Sequence, residues 1–387
     1  MGVISAIGDS VALNHSALKS GISGIGKLEM FQSKYADKMP FGEVKISTET
    51  LRNKLKVFES GVTRTSLLAL HALEETIRDS ALTETELTSN ETALIGASTV
   101  GGMCLTDELY HDANSQEGGS EYLSSYDCAS VTLFLQEKFK IGGVVNTINT
   151  ACSSSANAVA YGARLIHTGL AKRAIVGGAD SLAKFTINGF NALHILSSEV
   201  CTPFDQHRKG LNLGEGAAFL VLEKEEDVKD KKIYAVVAGY GNSNDAYHPS
   251  SLSPEGDGPF LSMQEALQMA RLKPADIHFI NAHGTGTENN DEVESVAMVR
   301  LFGNPPAFAS SKGNTGHTLG AAGAIEAVFS VLNLQFQEIY PGLQFKEPIA
   351  ATGLKPITGY AAMPLQHVMS NSFGFGGNCT SLIFSKV

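Results

Sequence analysis

Three side chains that could do covalent chemistry lie in serine- or glycine-rich turns of the sequence: Cys152, His283 and His317. Cys152 follows an apolar run at 144–148 that predicts a strand, and it precedes a segment with helical spacing of its apolar residues. We therefore expect the thiol at the N-terminus of a helix, whose first turn the serines at 153–155 could cap.

This position has a chemical consequence for Cys152. The unpaired N–H groups of a first helical turn and the helix dipole favour negative charge, and they can lower the pKa of a thiol from about 8.5 to about 3.5–7.5. A thiolate nucleophile is one interpretation, and a buried structural cysteine is the other. This stretch alone does not decide between them.

The two histidines lie in glycine-rich turns, NAHGTGTENND and SSKGNTGHTLGAAG, each directly after a predicted strand. Turns of this kind lie at the edge of a sheet, where glycines let the backbone approach a ligand. A lone histidine in a loop is more often structural, but two in equivalent turns beside a helix-capped cysteine favour catalysis. Zinc usually needs clustered ligands, so we predict no metal, and HGTGTEN lacks the spacing of a dinucleotide-binding loop.

The composition is that of a folded protein with a large core: 387 residues, 43% hydrophobic and 18% charged. The net charge of -11 argues against a nucleic-acid partner. Five scattered cysteines without a CxxC pair predict neither disulfides nor a zinc site, and they fit a reducing cytoplasm. The start of the sequence does not resemble a secretory signal, and no apolar run is expected to reach the ~18 residues that would span a membrane.

The order of predicted elements repeats from about Ile233. IYAVVAGYGNS resembles the opening GVISAIGDS, HFINAHGTGT stands in the place of TALIGASTVGG, and VMSNSFGFGG stands in the place of RAIVGGAD. We predict two homologous halves, 1–231 and 232–387, each a β-rich layer with helices packed on it, joined by a charged connector within AAFLVLEKEEDVKDKK. The second half begins with a full apolar strand that we expect to end in a turn at GYGNS, whereas the first half begins almost at its turn, so its first strand should be short or begin upstream.

Five motifs carry a resemblance to a known family. They are TACSSS around Cys152, PFDQHRKGLNLGEGAA at 203–218, NAHGTGTENND around His283, KGNTGHTLGAAGAIE at 312–326 and NSFGFGG at 371–377. In this order they resemble the elongating β-ketoacyl-acyl-carrier-protein synthases, condensing enzymes of the thiolase fold. The resemblance implies an α/β thiolase-like fold of two homologous halves, each with a mixed five-stranded sheet, layered αβαβα.

The resemblance also implies a Cys-His-His site. Cys152 would take an acyl chain from acyl carrier protein, while the backbone N–H groups of Cys152 and Phe375 hold the oxyanion. His283 and His317 would then hydrogen-bond the thioester oxygen of malonyl carrier protein as it loses CO2, and the carbanion would attack the acyl-cysteine. Phe375 would also act as an aromatic gate over the thiol.

Other matched residues would support this site. Lys312 and Glu326 match the family's ion pair, which could be mechanistic or purely architectural. Thr285 and Thr287 match hydroxyls that contact the pantetheine arm, although local turn hydrogen bonding is an alternative. Phe373 is a candidate substrate-binding residue whose alternative role is packing.

The resemblance further implies that acyl carrier protein bearing acyl and malonyl groups is the partner, and that phosphopantetheine belongs to the substrates, with no cofactor of the enzyme's own. A homodimer is expected, and a heterodimer with a chain-length factor is possible. Asn378 and Cys379 replace the family's usual Thr-Asn, so the missing asparagine's hydrogen bonds must be made otherwise. Three functions fit this resemblance: fatty acid elongation, condensation in a specialised polyene or polyketide pathway, and a non-catalytic subunit that binds carrier protein. The intact cysteine and histidines argue against the non-catalytic subunit.

Overall fold

The computed structural model describes residues 1–228 and 231–387. Its strands are β1 (Gly2–Ser5), β2 (Ile25–Gly26), β3 (Phe41–Gly42), β4 (Thr92–Ala97), β5 (Val145–Ile148), β6 (Arg173–Asp180), β7 (Gly216–Glu223), β8 (Val236–Asn244), β9 (Phe279–Asn281), β10 (Ala307–Ala309), β11 (Glu338–Ile339), β12 (Ala361–Ala362), β13 (His367–Phe373) and β14 (Asn378–Ser385). Its α-helices are α1 (Val11–Lys19), α2 (Thr48–Leu55), α3 (Arg64–Ser80), α4 (Glu84–Leu87), α5 (Thr106–Ser115), α6 (Ala129–Phe139), α7 (Ser154–His167), α8 (Lys184–Ala192), α9 (Asp257–Ala270), α10 (Glu288–Phe302), α11 (Lys312–Thr315) and α12 (Ala322–Phe336).

Two mixed five-stranded sheets share one topology. The first has the order β1-β7-β6-β4-β5, and the second has the order β8-β14-β13-β9-β10. In each sheet the first two pairings are antiparallel and the last two are parallel. The predicted repeat of elements and the thiolase-like fold are therefore confirmed, whereas the boundary at 231/232 stays a prediction.

The two sheets lie in a stack with three layers of helices. α3 and α6 cover the outer face of the first sheet, α9 covers the outer face of the second with α10 packed against it, and α7 and α12 lie between the sheets. A single apolar cluster joins the inner faces of both sheets to these two central helices. The layering is αβαβα, as the resemblance implied.

The central helices bring the functional turns of the two halves together. The first turns of α7 and α12 approach so closely that a Cβ on Gly323 would lie 2.6 Å from the backbone nitrogen of Ala156. Only glycine permits this contact. The turn before α7 and the turn before α12 therefore lie side by side.

The predicted charged connector includes a short 3-10 helix at Glu225–Asp227, and its residues 229–230 lie outside the described residues. Two other local predictions need correction. GYGNS at 239–243 was predicted as a turn but lies inside β8, paired with β14. Leu319–Phe336 is an 18-residue stretch long and apolar enough to span a membrane, so the expected absence of such a run was wrong; it is 89% buried and forms the core helix between the sheets.

Candidate active site

The nucleophile turn connects β5 to α7 and places Cys152 just before the helix. Ala151 has a φ of 53°, which is uncommon for a residue with a side chain and marks a sharply turned backbone. Ser153 occupies the N-cap position but makes no capping bond, so the predicted serine cap was wrong. Instead, the Ser154 hydroxyl accepts a hydrogen bond of 2.8 Å from the backbone N–H of Thr150 and thereby braces the turn.

The three predicted reactive side chains converge, although they come from different halves of the chain. His317 Nε2 lies 3.0 Å from Cys152 Sγ, and the rings of His283 and His317 meet edge to face with centroids 5.3 Å apart. Gly316, directly before His317, has a positive φ of 71°, as Ala151 has directly before Cys152. The two halves thus present their reactive groups from equivalent turns.

Lys312 fixes the orientation of His283. Its Nζ donates to Glu326 Oε1 at 2.6 Å and to the carbonyl oxygen of His283 at 2.6 Å, and it lies 3.3 Å from His283 Nδ1. An ammonium can only donate, so Nδ1 must accept and the ring proton must be on Nε2. The His283 Nε2–H is therefore free to donate to a ligand.

Burial controls the charge of the reacting groups. Only 6% of Cys152 is exposed, and burial raises the pKa of its thiol to about 11, against the opposing effect of the Lys312 charge. Burial, with the Lys312 charge, also holds the pKa values of His283 and His317 well below their usual range. The thiol and both imidazoles are therefore neutral at pH 7, because desolvation outweighs the lowering of the thiol pKa that a helix N-terminus can cause.

Two buried carboxylates in α10, not identified from the sequence, hold the His283 loop. Glu294 accepts hydrogen bonds from the backbone N–H groups of His283 at 2.9 Å and Gly284 at 2.8 Å, and Asp291 accepts from that of Thr285 at 2.8 Å. Burial raises the pKa of Glu294 to about 7. The acidic residues eight and eleven positions after His283, on a helix whose first turn faces this loop, were the available signal.

Asp180, at the end of β6, is a third carboxylate that was not identified from the sequence. It accepts bonds from Thr99 and Val100 after β4 and, at 2.7 Å, from the backbone N–H of Gly320 after the His317 turn. Asp180 thus ties a loop of the first half to the turn that carries His317. We assign it a structural role.

A cavity of about 380 Å³ opens onto Cys152 and both histidines. Thr285 and Thr287 line it, with their hydroxyl oxygens 2.8 Å apart. Phe373 also lines it, with its ring 5.9 Å from that of His283. The cavity therefore contains all three residues predicted to bind substrate, while their contacts with a substrate stay predictions.

Phe375 lies at the mouth of this cavity in the loop between β13 and β14. Its backbone N–H is close enough to the Cys152 sulfur to favour the thiolate, and its ring stacks on Phe190 with centroids 5.7 Å apart. Gly376 follows with a φ of 82° and has open space where a Cβ would be. The oxyanion role of the Phe375 N–H stays a prediction.

The reactive triad also has the composition of a metal site. One ligand atom each from Cys152, His283 and His317 lie within 4.8 Å of one another. The sequence spacing gave no sign of this ligand set because the fold, not the spacing, assembles it, and the absence of a metal stays a prediction. Three nitrogen and sulfur ligands form a set that suits zinc, and the charge of Lys312 beside His283 should weaken the affinity without abolishing it.

The remaining charged residues of the 203–218 motif form two separate clusters. Arg208 donates to the backbone carbonyls of Thr287 and Asp205, and so fixes the end of the His283 loop. Glu215 pairs with Arg64 at 2.6 Å on the other side of the first sheet. Both clusters support the scaffold.

Two family models match the chain: "Beta-ketoacyl synthase, N-terminal domain" over residues 1–228, and "Beta-ketoacyl synthase, C-terminal domain" over residues 234–346. The chain is also 31% identical, over 407 aligned positions, to 3-oxoacyl-[acyl-carrier-protein] synthase 2 of Staphylococcus aureus (strain COL). That alignment covers 100% of this chain and 97% of the relative.

Two solved structures are similar over the whole chain. The ishigamide ketosynthase/chain length factor has a TM-score of 0.91 and 28% identity, with 100% of this chain and 97% of that chain covered. A type II polyketide synthase acyl carrier protein in complex with its ketosynthase bound to the hexaketide has a TM-score of 0.89 and 26% identity, with coverages of 100% and 98%. The chain therefore belongs to the β-ketoacyl synthase family and is a condensing acyltransferase of the thiolase-like fold.

Proposed function

We propose that this β-ketoacyl synthase condenses an acyl group held on Cys152 with malonyl-acyl carrier protein to give 3-oxoacyl-acyl carrier protein, in fatty acid elongation. The observation that carries the proposal is the 3.0 Å approach of His317 Nε2 to Cys152 Sγ at the end of a cavity that His283 also faces. The substrates supply phosphopantetheine, and the enzyme uses no cofactor of its own.

In the first step the Cys152 sulfur attacks the thioester carbonyl of acyl carrier protein. A carbon–sulfur bond to Cys152 forms and the bond to the pantetheine sulfur breaks, while the thiol proton leaves with the departing pantetheine thiol. The backbone N–H groups of Cys152 and Phe375 hold the oxyanion of the tetrahedral intermediate. The proximity of the Phe375 N–H to the sulfur, which favours the thiolate, supports this role.

In the second step malonyl-acyl carrier protein enters and loses CO2. The Nε2–H groups of His283 and His317 donate to its thioester oxygen as enolate charge develops there. The carbanion then attacks the acyl-cysteine carbonyl: a carbon–carbon bond forms, the bond to the Cys152 sulfur breaks, and the released thiolate takes up a proton from solvent. Thr285 and Thr287, on the cavity wall, contact the pantetheine arm.

A ketosynthase of a specialised polyene or polyketide pathway is the second candidate function. The 0.91 TM-score to the ishigamide ketosynthase/chain length factor supports it, and so does the 0.89 TM-score to the ketosynthase of a type II polyketide synthase. The 31% identity to a 3-oxoacyl-[acyl-carrier-protein] synthase 2 supports fatty acid elongation. Part of residues 101–111 is our candidate for the lining of the acyl tunnel that would distinguish the two substrates. A non-catalytic subunit is disfavoured by the assembled triad.

The partner we propose is acyl carrier protein, as in the solved ketosynthase complex. For the protomer itself we propose a homodimer in the cytoplasm, with a heterodimer as the alternative. In the part of the chain that the structure describes, β5 is an edge strand with one side unpaired, and Val144 beside it is 40% exposed. An edge of this kind can pair with the same edge of a second copy.

The decisive experiment incubates the purified protein with malonyl-acyl carrier protein and saturated, unsaturated and polyene acyl carrier proteins, and identifies products by mass spectrometry. We expect 3-oxoacyl products two carbons longer than the primer and an acyl adduct on Cys152. Cys152→Ala should give neither. A wild-type protein that forms no adduct with acyl carrier protein or with a cerulenin-like electrophile would favour the non-catalytic subunit.

A further inference from the structure

The Phe375 loop is closed at its base by Asn378. The backbone N–H of Gly374 donates to the Asn378 carbonyl oxygen at 2.8 Å, and that of Gly377 donates to the Gly374 carbonyl at 3.1 Å. Asn378 therefore fixes the base of the loop that carries Phe375, while at the tip of the loop the Gly376 N–H donates to the Pro249 carbonyl at 2.8 Å. The loop residues after Phe375 are glycines, which add no side-chain anchor.

The Asn378 side chain bonds directly to the nucleophile turn. Its Oδ1 lies 2.7 Å from the hydroxyl of Ser153, the residue after Cys152, and 2.8 Å from Nδ2 of Asn157 in the first turns of α7. The Ser153 hydroxyl also lies 2.7 Å from the Thr150 carbonyl, but it has one proton and can donate to only one of them at a time. Asn157 supplies a second, independent donor.

Asn242 of β8 completes this amide cluster from the solvent side. Its Nδ2 lies 2.9 Å from Asn157 Oδ1 and 3.0 Å from Asn378 Oδ1. Asn242 is exposed, and its side chain touches neither Ser153 nor the Phe375 loop. The cluster thus has one member, Asn378, that joins the loop to the nucleophile turn, and another, Asn242, that only braces it.

We propose that Asn378 is a positioning residue for the first half-reaction. Its side chain binds Ser153 and Asn157 and thereby fixes the base of the Phe375 loop, so that the Phe375 N–H stays near the Cys152 sulfur. This inference rests on the proposed function. Asn378 touches no reacting atom, so its effect is confined to the step that uses the Phe375 N–H. Decarboxylation of malonyl-acyl carrier protein, where His283 and His317 hold the oxygen, does not use that donor.

The test separates the two half-reactions. In Asn378→Ala we expect the single-turnover rate of acyl transfer to Cys152 to fall by about 10- to 100-fold. This fall should not exceed the effect of removing an oxyanion donor outright. We expect the rate of malonyl-acyl carrier protein decarboxylation without a primer to stay within about twofold of wild type. Asn378→Asp keeps the accepting oxygen and should recover most of the acyl transfer.

The matched control is Asn242→Ala, which removes an amide from the same cluster and should leave both half-reactions within about twofold. Ser153→Ala should slow acyl transfer, and the double variant Ser153→Ala/Asn378→Ala should lose less than the product of the two single effects. Three results would each overturn the inference. The first is a fall of both half-reaction rates in Asn378→Ala together with a lower melting temperature, and the second is an equal fall of the acyl-transfer rate in Asn242→Ala. The third is a wild-type rate of acyl transfer in Asn378→Ala. Absence of acyl transfer in the wild-type protein would instead overturn the proposed function.

Discussion

The Cys152 thiol is expected to be protonated in the resting enzyme at neutral pH. Burial raises its pKa to about 11 from an ordinary 9.0, and His317, its partner at 3.0 Å, is too weak a base in this site to take the proton. With a pKa of about 11, about one thiol in a thousand is ionised at about pH 8. A helix-activated thiol with a pKa of about 7.5 or less would be at least about three-quarters ionised there.

The assay is the rate of alkylation of Cys152 by iodoacetamide, followed site by site by peptide mass spectrometry so that the other four cysteines do not interfere. Because only the thiolate reacts, the rate should rise about tenfold per unit between about pH 7 and 10. Lys312→Met removes the positive charge that favours the thiolate, so it should slow alkylation at every pH in this range. A wild-type rate that levels off near pH 7.5 would refute the reasoning.

The raised pKa of Cys152 also makes the stability of the folded protein depend on pH. The folded protein holds the Cys152 proton more tightly than the unfolded chain, so the folded state loses stability as the pH rises from the unfolded pKa near 9.0 to the folded pKa of about 11. Relative to Cys152→Ala, the wild-type free energy of unfolding should therefore decrease across this window. Urea denaturation of both proteins at several pH values measures it.

Three further outcomes are expected. Glu326→Ala leaves the Lys312 ammonium buried without its carboxylate and should lower the free energy of unfolding by about 3–5 kcal/mol in urea titration, with most of the loss recovered by adding Lys312→Met. Burial raises the pKa of Glu294 to about 7, and protonation weakens Glu294 as the acceptor for the backbone N–H of His283, so the wild-type rate of malonyl decarboxylation should fall below about pH 7. In Glu294→Gln the pH profile should no longer show this fall. A profile that is the same in both proteins would contradict the role. Zinc, but not magnesium, should reversibly inhibit acyl transfer, and competition with a chromophoric chelator should show zinc binding that Cys152→Ala removes.

Local patterns in the sequence were sufficient to predict the elements that carry the site. The strand, turn and helix around Cys152 and the repeated order of elements follow from apolar periodicity and turn residues, and both are in the fold. GYGNS was misread because glycine usually marks a turn. In β8 a Cβ on Gly241 would lie 2.1 Å from the Ser262 carbonyl oxygen, and one on Gly239 would lie 2.4 Å from that of Ala266. These glycines let α9 pack closely against the sheet. This is a requirement of tertiary packing, so the local sequence pattern could not show it.

The site's electrostatics could not be predicted from local sequence for the same physical reason. The helix N-terminus near Cys152 is a local feature, but the desolvation that raises the thiol pKa comes from side chains of both halves packed around it. Asp291 and Glu294 are identifiable as acidic residues on a helix, yet only the fold turns them inward to accept the N–H groups of the His283 loop. The identity and order of the residues were sufficient to predict that Cys152, His283 and His317 meet. Their protonation states depend on how the folded chain packs around them.

A thiol and imidazoles that are neutral at rest leave the hydrogen-bond donors of the site free for the charge that develops in both half-reactions. In both half-reactions negative charge develops on an oxygen inside a buried cavity, first at the acyl carbonyl and then at the malonyl thioester. The Phe375 N–H and the His283 Nε2–H are fixed donors already in place, so they stabilise that charge without reorganising, in surroundings where their effect exceeds that in water. A resting thiolate would place a negative charge beside the same donors before the substrate arrived and would compete with the oxyanion for them. The burial that raises the thiol pKa therefore keeps those donors available for the transition states.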